Sequence, residues 1–417
     1  MEEDEIIENA EIVIENNRIA AVGRQGTVDV PSGAEVIDVS GHTIMPGFVD
    51  THAHLRPAWG LHKSEAWQYL SNLAYGVTTT RDPQTSTTDV LTYADKVRTG
   101  RMLGPRIYST GPGIFQSEQI ESLSEARSVL RRYSDYYDTK TVKQYVAGDR
   151  EQRQWIIEAA RDLELMPTTE GALDLKLDLT QIIDGYPGHE HTFPIFPVYE
   201  DVIGLTAASQ TAYTPTLLVN YGGPWAENYY YTRENPHDNE KLRHFTPHSE
   251  LDQRTRRRGQ GAGAGPGGWF MEEEHVFKEQ AETLEAIVGA GGRAGVGSHG
   301  QLQGLGYHWE LWSMATGGLS NHEVLRLATL TGADAIGLSQ DLGSIAPGKL
   351  ADLIVLEENP LEDLRHTSAI RYVMKNGRLY DGSTLDEVYP RSRPLQTMWW
   401  QTGGPSGELP GVEPEGE

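Results

Sequence analysis

The most telling run in the chain is Met45-Pro46-Gly47-Phe48-Val49-Asp50-Thr51-His52-Ala53-His54-Leu55. It reads as an apolar strand that ends in two histidines at i and i+2. Side chains two apart on a strand point to the same side, so both imidazoles can grip one ion. Two surface histidines brought together by chance are the competing reading. Their place at the end of a buried-type strand argues against it.

On either side of this run the chain ends read as β structure. Glu11-Ile12-Val13-Ile14 turns at Asn16-Asn17 into Ile19-Ala20-Ala21-Val22, and Leu353-Ile354-Val355-Leu356 is followed by Tyr372-Val373-Met374, a turn at Lys375-Asn376-Gly377, and Arg378-Leu379-Tyr380. The Asn-Gly pair is a hairpin signal. Between these ends, short apolar runs alternate with helix-like patterns at 151–164, 271–290 and 320–335. The short runs include Gly76–Thr80, Thr141–Val146, Thr214–Val219 and Ala294–Gly297. About 300 residues of this rhythm suit an eight-stranded (β/α)8 barrel of the TIM type. The expected class is therefore α/β, a barrel with a small β-sandwich built from both chain ends. The boundaries are 1–44 for the first sandwich part, 45–345 for the barrel, 346–383 for the second sandwich part and 384–417 for an extended tail rich in Pro, Gly and Glu. An irregular insertion at 221–268, aromatic and then charged and Gly-rich, is expected to be a lid, a binding loop or disordered.

Composition narrows the function. The 417 residues carry 60 Asp and Glu against 35 Lys and Arg, a net charge of −25, so the whole-molecule field repels nucleic acid and anionic lipid. No apolar run approaches the ~20 residues of a membrane-spanning helix. With no cysteine there is no disulfide, thiolate nucleophile or Cys-ligated metal, so a metal must use His, carboxylate or a modified Lys. The acidic start, Met1-Glu2-Glu3-Asp4-Glu5, lacks the pattern of a secretory signal, and as written the chain is expected to be cytoplasmic. Phosphate-binding loops, nucleophile elbows and His-Glu-x-x-His motifs are missing. The basic run Arg254, Arg256, Arg257, Arg258 reads as a solvated or salt-bridged face.

Pro46-Gly47-Phe48-Val49-Asp50-Thr51-His52-Ala53-His54 resembles the metal-binding first strand of the amidohydrolase superfamily, in its imidazolonepropionase- and prolidase-like branch. A second match, Gly343-Ser344-Ile345-Ala346-Pro347-Gly348-Lys349-Leu350-Ala351-Asp352-Leu353-Ile354-Val355-Leu356 with Val373-Met374-Lys375-Asn376-Gly377, resembles the point where such enzymes return from the barrel to the sandwich. The resemblance covers roughly residues 5–382. Gly297-Ser298-His299-Gly300 and Ala212–Leu217 are also similar to amidohydrolases fused behind β-propellers. Amidohydrolases usually open with one more strand before the stretch matching Glu8–Ile14. This chain is accordingly expected to be a fragment or shortened product of a longer protein, which leaves export open.

The resemblance implies one or two divalent ions, zinc first among them, with ligands from strands one, four, five, six and eight. Carried over by position, these are His52 and His54, then Lys143 (with Lys140 as rival), Glu170, His191 and His299. Lys143 lies in an otherwise apolar run where an ammonium is costly, and a carbamate on it would give the carboxylated lysine the superfamily often uses. Glu170 stands where the superfamily carries a histidine, and His299 where it carries an aspartate. His299 and His191 are the expected catalytic groups, since a neutral imidazole can ligate or accept a proton near pH 7. His189 is expected to be a neighbour only. Tyr221 and Trp225 from the insertion, and Tyr307 and His308 after strand eight, are the expected substrate-binding residues. The implied reaction is attack of a metal-activated water on an amide, peptide-like or cyclic amide C–N bond of a small molecule or short peptide. Ester, lactone or phosphotriester hydrolysis, a metal-holding scaffold without turnover, and an interaction domain of a larger assembly are the alternatives. Homo-oligomerisation is compatible with the sequence, which fixes no order for it.

Overall fold

A computed structural model describes residues 6–58, 60–114, 118, 120–146, 148–255 and 270–401. Among these residues the fold is α/β with parallel sheets. The strands are β1 (Ala10–Glu15), β2 (Arg18–Arg24), β3 (Thr43–Pro46), β4 (Phe48–Asp50), β5 (Val77–Asp82), β6 (Arg106–Ser109), β7 (Thr141–Lys143), β8 (Met166–Thr169), β9 (Gly188–Glu190), β10 (Ala212–Thr214), β11 (Leu353–Leu356), β12 (Ile370–Lys375), β13 (Arg378–Asp381) and β14 (Glu387–Tyr389).

One parallel sheet has the order β4-β5-β6 and another the order β10-β9-β8-β7. Isolated parallel bridges join Ile114 to Gln144, Tyr213 to Ala294, and Ala53 to His299. Helices follow the strands, as at Trp67–Ala74, Asp89–Arg98, Arg150–Asp162, Leu175–Asp184 and Glu200–Ser209. Parallel strands need such crossovers, and the helices bury the strands' outer faces. The strands accordingly read as short and mostly buried runs, β5 being buried at every position and β6 only at Ser109.

The chain ends meet in a five-stranded antiparallel sheet of order β14-β13-β12-β11-β3, so β3 from the start pairs with β11 from the end. The β1–β2 hairpin is a separate two-stranded sheet, and its Ile12, Ile14 and Ile19 pack with Leu353, Met374 and Leu379 of the other and with Ala351 just ahead of β11.

Four expectations are corrected. The apolar run Thr214–Val219 is a strand only at its start. After Pro215, Thr216 takes a left-handed φ of 48°, and Leu217–Val219 curl into a 3-10 turn. The expected eighth strand at Ala294–Gly297 is not a continuous strand: it is joined by isolated bridges at Ala294 and His299 and by the Thr51 N–H and hydroxyl, which donate to the Val296 carbonyl at 2.8 and 3.0 Å. The insertion is not irregular over its first part but forms helices at Ala226–Tyr231, Glu240–Phe245 and His248–Thr255, because Tyr230, Leu242, Phe245 and Leu251 are buried in the main core. Its Gly-rich part, with Arg256, Arg257 and Arg258, lies outside the described residues. The segment from 384 is not merely extended: β14 adds an edge strand, and Met398 is buried. Residues 402–417 lie outside the description. Among the described residues no helix is long and apolar enough to cross a membrane.

Candidate metal centre

The C-terminal ends of the parallel strands converge on one group of ionisable side chains, as the βα loops of such sheets do. His52 and His54 follow β4, Lys143 ends β7, Glu170 follows β8, Glu190 ends β9 and His191 follows it, and His299 stands at the bridge to Ala53. His52 Nε2 and His54 Nε2 are 3.3 Å apart. The His299 ring stacks on His52 at 5.1 Å between centroids and lies 4.6 Å from His54, while His191 is 5.0 Å from His52 and 5.2 Å from His299. Ligand atoms of His52, His54 and His299 all lie within 4.8 Å of one another.

The backbone is bent to bring them there. His191 and His299 have φ of 72° and 58°, the left-handed region that non-glycine residues occupy at a cost of about 1–3 kcal/mol and mainly at functional sites. His299 N–H donates to His52 O at 2.7 Å, and His54 N–H to His299 O at 3.2 Å, which ties the two segments together. Gly297 must be glycine for this approach, since a Cβ there would lie 2.8 Å from His52 Cβ and 2.5 Å from Thr214 Cγ2.

Second partners orient the rings. His54 Nδ1 lies 3.2 Å from the Gln84 carbonyl, to which it donates, leaving Nε2 bare toward His52. His191 Nδ1 is 2.6 Å from Thr216 Oγ1, and its Nε2 is 3.0 Å from Glu170 Oε2. Thr216 is held in turn because the Glu310 carboxyl, fully buried, accepts the N–H groups of Leu217 at 2.7 Å and Leu218 at 2.9 Å. Asp50 accepts from His52 N–H at 3.0 Å and from the Ser298 hydroxyl at 2.5 Å. Neither Thr216 nor Glu310 was given a role from the sequence, although Thr216 lies within the run Ala212–Leu217 and Glu310 follows His308 by two residues.

Beside the imidazoles lies a buried charge network. Lys143 Nζ donates to Glu170 Oε2 at 3.0 Å and pairs closely with Glu190, which Arg81 also contacts. Arg81 further donates to Thr141 Oγ1 at 2.7 Å and Thr168 Oγ1 at 2.6 Å. Glu190 and Arg81 were likewise missed in the sequence. The signal for Glu190 was its place between two histidines in His189-Glu190-His191, and Arg81 offered only a cation, with Asp82, at the end of a strand of otherwise uncharged residues.

Burial, reinforced by the neighbouring cations and imidazoles, keeps His52 and His299 well below the usual histidine range and lowers His54 to about 3. Burial also lowers Lys143 to about 8, against the opposing pull of Glu170. Burial alone would raise the Glu170 carboxyl, but Lys143 and His191 hold it well below the ordinary carboxylate range. The centre therefore offers neutral imidazoles and an ionised carboxylate, the protonation states a divalent cation requires. Nδ1 of His52 and of His299 are buried with no hydrogen-bond partner, and His52 Nδ1 merely lies 3.2 Å from Glu190 Oε2. Orphaned ring nitrogens in a cluster of neutral imidazoles fit a bound cation.

The structure does not bring every expected residue here. Tyr221 is at the centre, its ring 4.8 Å from His191 and its hydroxyl 3.4 Å from Glu170 Oε1. Trp225 is half-buried and caps the helix Ala226–Tyr231, its carbonyl accepting from Asn228 N–H at 3.0 Å. Tyr307 and His308 are corrected: both are fully buried inside the helix Leu305–Ala315. The Tyr307 hydroxyl donates toward the carbonyls of Val49 and Ala328 at 3.2 and 3.3 Å, and both His308 nitrogens are engaged, Nδ1 by Thr367 Oγ1 at 2.9 Å and Nε2 by the Tyr75 carbonyl at 3.0 Å. Lys140 is exposed just ahead of β7, at the far end of the strand from the histidines. His189 packs aside, with Nε2 2.9 Å from Asp178 Oδ1. Arg254 pairs with Glu250 at 3.3 Å and donates to the Gln301 carbonyl at 2.9 Å.

A family model described as "Amidohydrolase family" matches residues 43–380. The dihydroorotase of Staphylococcus epidermidis is 37% identical over 105 residues, 25% of this chain and 24% of that protein. The imidazolonepropionase of Bacillus velezensis is 27% identical over 144 residues, 32% of this chain and 34% of that protein. The matches thus span only 24% and 34% of these curated relatives. A crystal structure of a Xaa-Pro dipeptidase with methionine bound in its active site superposes with a TM-score of 0.66 at 20% identity, covering 89% of this chain and 95% of that one, a likeness of fold.

Proposed function

The chain belongs to the amidohydrolase family, and from that premise we propose that it is a metal-dependent hydrolase of an amide, peptide-like or cyclic amide C–N bond in a small molecule or short peptide. The observation that carries this reading is the convergence of four neutral imidazoles with Glu170, Glu190 and Lys143 at one set of strand ends. With it goes a reading of the fold as a closed (β/α)8 barrel over 45–345, supported by the three bridges between its sheets, and a two-layer sandwich over 1–44 and 346–383, supported by the hairpin packing.

When bound, a divalent cation, zinc foremost, supplies Lewis-acid polarisation of the substrate carbonyl and lowers the pKa of a water. His52, His54 and His299 would hold it, with His191, Glu170 and Lys143 extending the site toward a second ion. Gln84 and Thr216 fix His54 and His191 by their Nδ1 atoms. Where a single ion is held by His52, His54 and His299, the ionised Glu170, 3.0 Å from His191 Nε2, can with His191 accept the proton of the attacking water and return it to the leaving nitrogen; where His52 and His54 hold the ion without His299, that imidazole is the proton acceptor instead. Tyr221 closes the Glu170 side and offers an aromatic face to the substrate.

The lowered Lys143 supports a carbamate at Nζ. A carbamate there would stand beside two carboxylates, a repulsion that Arg81 alone does not offset, so carboxylation and a second ion belong together. Intact-protein mass, one CO2 heavier under non-denaturing conditions, would report it.

The test is a panel of matched amide and ester substrates with chelated and zinc-reconstituted protein. Metal-dependent turnover of amides above esters is expected. Ester turnover alone would favour the ester or lactone alternative, and none on either series would leave a metal-holding scaffold.

A further inference from the structure

A cavity of about 1680 Å³ lies at the opposite ends of the parallel strands, where β6, β7 and β8 begin with Arg106, Thr141 and Met166. Its charge runs against that of the whole molecule. Nine Lys and Arg line it against five Asp and Glu, whereas the chain overall carries 35 against 60.

Lys375 and Arg378 face each other directly across the two-residue Asn376-Gly377 hairpin of β12 and β13. Like charges opposite one another in an antiparallel pair are destabilising unless something neutralises them. Lys375 has no hydrogen bond or ion pair to its ammonium among the described residues, and the Arg106 beside it is already committed to Asp352, at 2.6 and 3.1 Å. Arg378, Arg391 and Arg393 all reach one buried carboxylate, Glu387, at 3.5, 3.2 and 3.3 Å. Five cations thus meet two buried acids in one wall of a roomy cavity, and the side chains of Arg378, Arg391 and Arg393 are 47%, 54% and 65% exposed.

We propose that this wall binds the phosphate group of a small organic phosphate monoester, gripped by Lys375 and Arg378 with Arg391 and Arg393 at its rim. A dianion relieves the Lys375–Arg378 repulsion, arginine forks match phosphate oxygens, and the cavity volume leaves room for the ester's organic part. The site is separate from the imidazole centre, and its ligand need not be the substrate.

Isothermal titration calorimetry of the metal-loaded protein with phenyl phosphate and inorganic phosphate, at low and high salt, tests this. One phenyl phosphate per chain is expected to bind at least as tightly as inorganic phosphate, and more weakly as salt rises. Lys375→Ala and Arg378→Ala should each weaken binding about tenfold or more, the loss of one charge-assisted contact, while Lys375→Arg stays within about threefold. Circular dichroism and unchanged hydrolytic activity would show that the variants are folded. Absence of binding, undiminished binding in the Lys375→Ala/Arg378→Ala double variant, or binding abolished by His299→Ala instead would each overturn the assignment. Binding of inorganic phosphate with rejection of phenyl phosphate would overturn the ester reading.

Discussion

His299 and His308 are nine residues apart, both lie beyond the same strand-like segment, and both were expected at the active site, yet they stand in opposite conditions. His308 is fully buried with each ring nitrogen bonded, to Thr367 and to the Tyr75 carbonyl, within the packed helix Leu305–Ala315. His299 sits at φ 58° with Nδ1 orphaned and three other imidazoles around it. A satisfied histidine stabilises a fold, whereas an unsatisfied one on a strained backbone belongs to a site that needs it.

The largest test of that contrast is a pair of substitutions. His299→Ala should reduce metal affinity and hydrolysis by more than about 100-fold, beyond what outer-shell changes cause. His308→Ala should instead cost about 2–4 kcal/mol of stability, through a cavity and two unpaired groups, with metal content unchanged. Metal titration and denaturant unfolding of both variants read the difference, and equal metal loss in both would erase it.

Next is the relay behind His191. Thr216→Val removes the oxygen at Nδ1 and is expected to weaken metal binding about 10- to 100-fold, with Thr216→Ser restoring it. A Thr216→Val variant that binds metal like wild type would show that His191 needs no orientation.

Glu310 gives a pH signature in the same helix as His308. Burial pushes its carboxyl up to about 8, despite the Leu217 and Leu218 N–H groups that favour ionisation. Between about pH 4.5 and 8 the unfolded chain has released a proton that the folded chain keeps, so this group's stability contribution, full at low pH, is lost as pH rises through that window. Glu310→Gln should therefore gain on wild type by up to about 1.4 kcal/mol per pH unit, read by unfolding at pH 5 to 8. A pH-independent difference would contradict the raised value. The smallest expected effect is Tyr221→Phe, a few-fold rise in KM on the best amide substrate, from losing one long hydrogen bond to Glu170.

Much of this was legible in the sequence because chemistry repeats at strand ends. The i, i+2 histidines, the lone lysine in an apolar strand and the Asn-Gly hairpin each carry a local physical reason, and the structure brings His52, His54, Lys143, Glu170, His191, His299 and Tyr221 together. What escaped depends on non-local partners. Arg81 and Glu190 meet only when β5 and β9, which belong to different parallel sheets, are brought together by the fold, and Thr216 reaches His191 only because Glu310, 94 positions on, pins the following turn. Tyr307 and His308 were misplaced because an aromatic run after a strand reads alike in a mouth loop and in a core helix. The insertion was misread because apolar residues that anchor its helices are diluted by charge.

The most direct measurement is elemental analysis of metal per chain for protein purified without added metal, then chelated and reconstituted, alongside His299→Ala and His308→Ala. One to two equivalents of a divalent metal in wild type and His308→Ala, with loss in His299→Ala, is the predicted result. No metal in wild type after reconstitution, or full occupancy in His299→Ala, would contradict the assignment of the imidazole cluster as a metal centre.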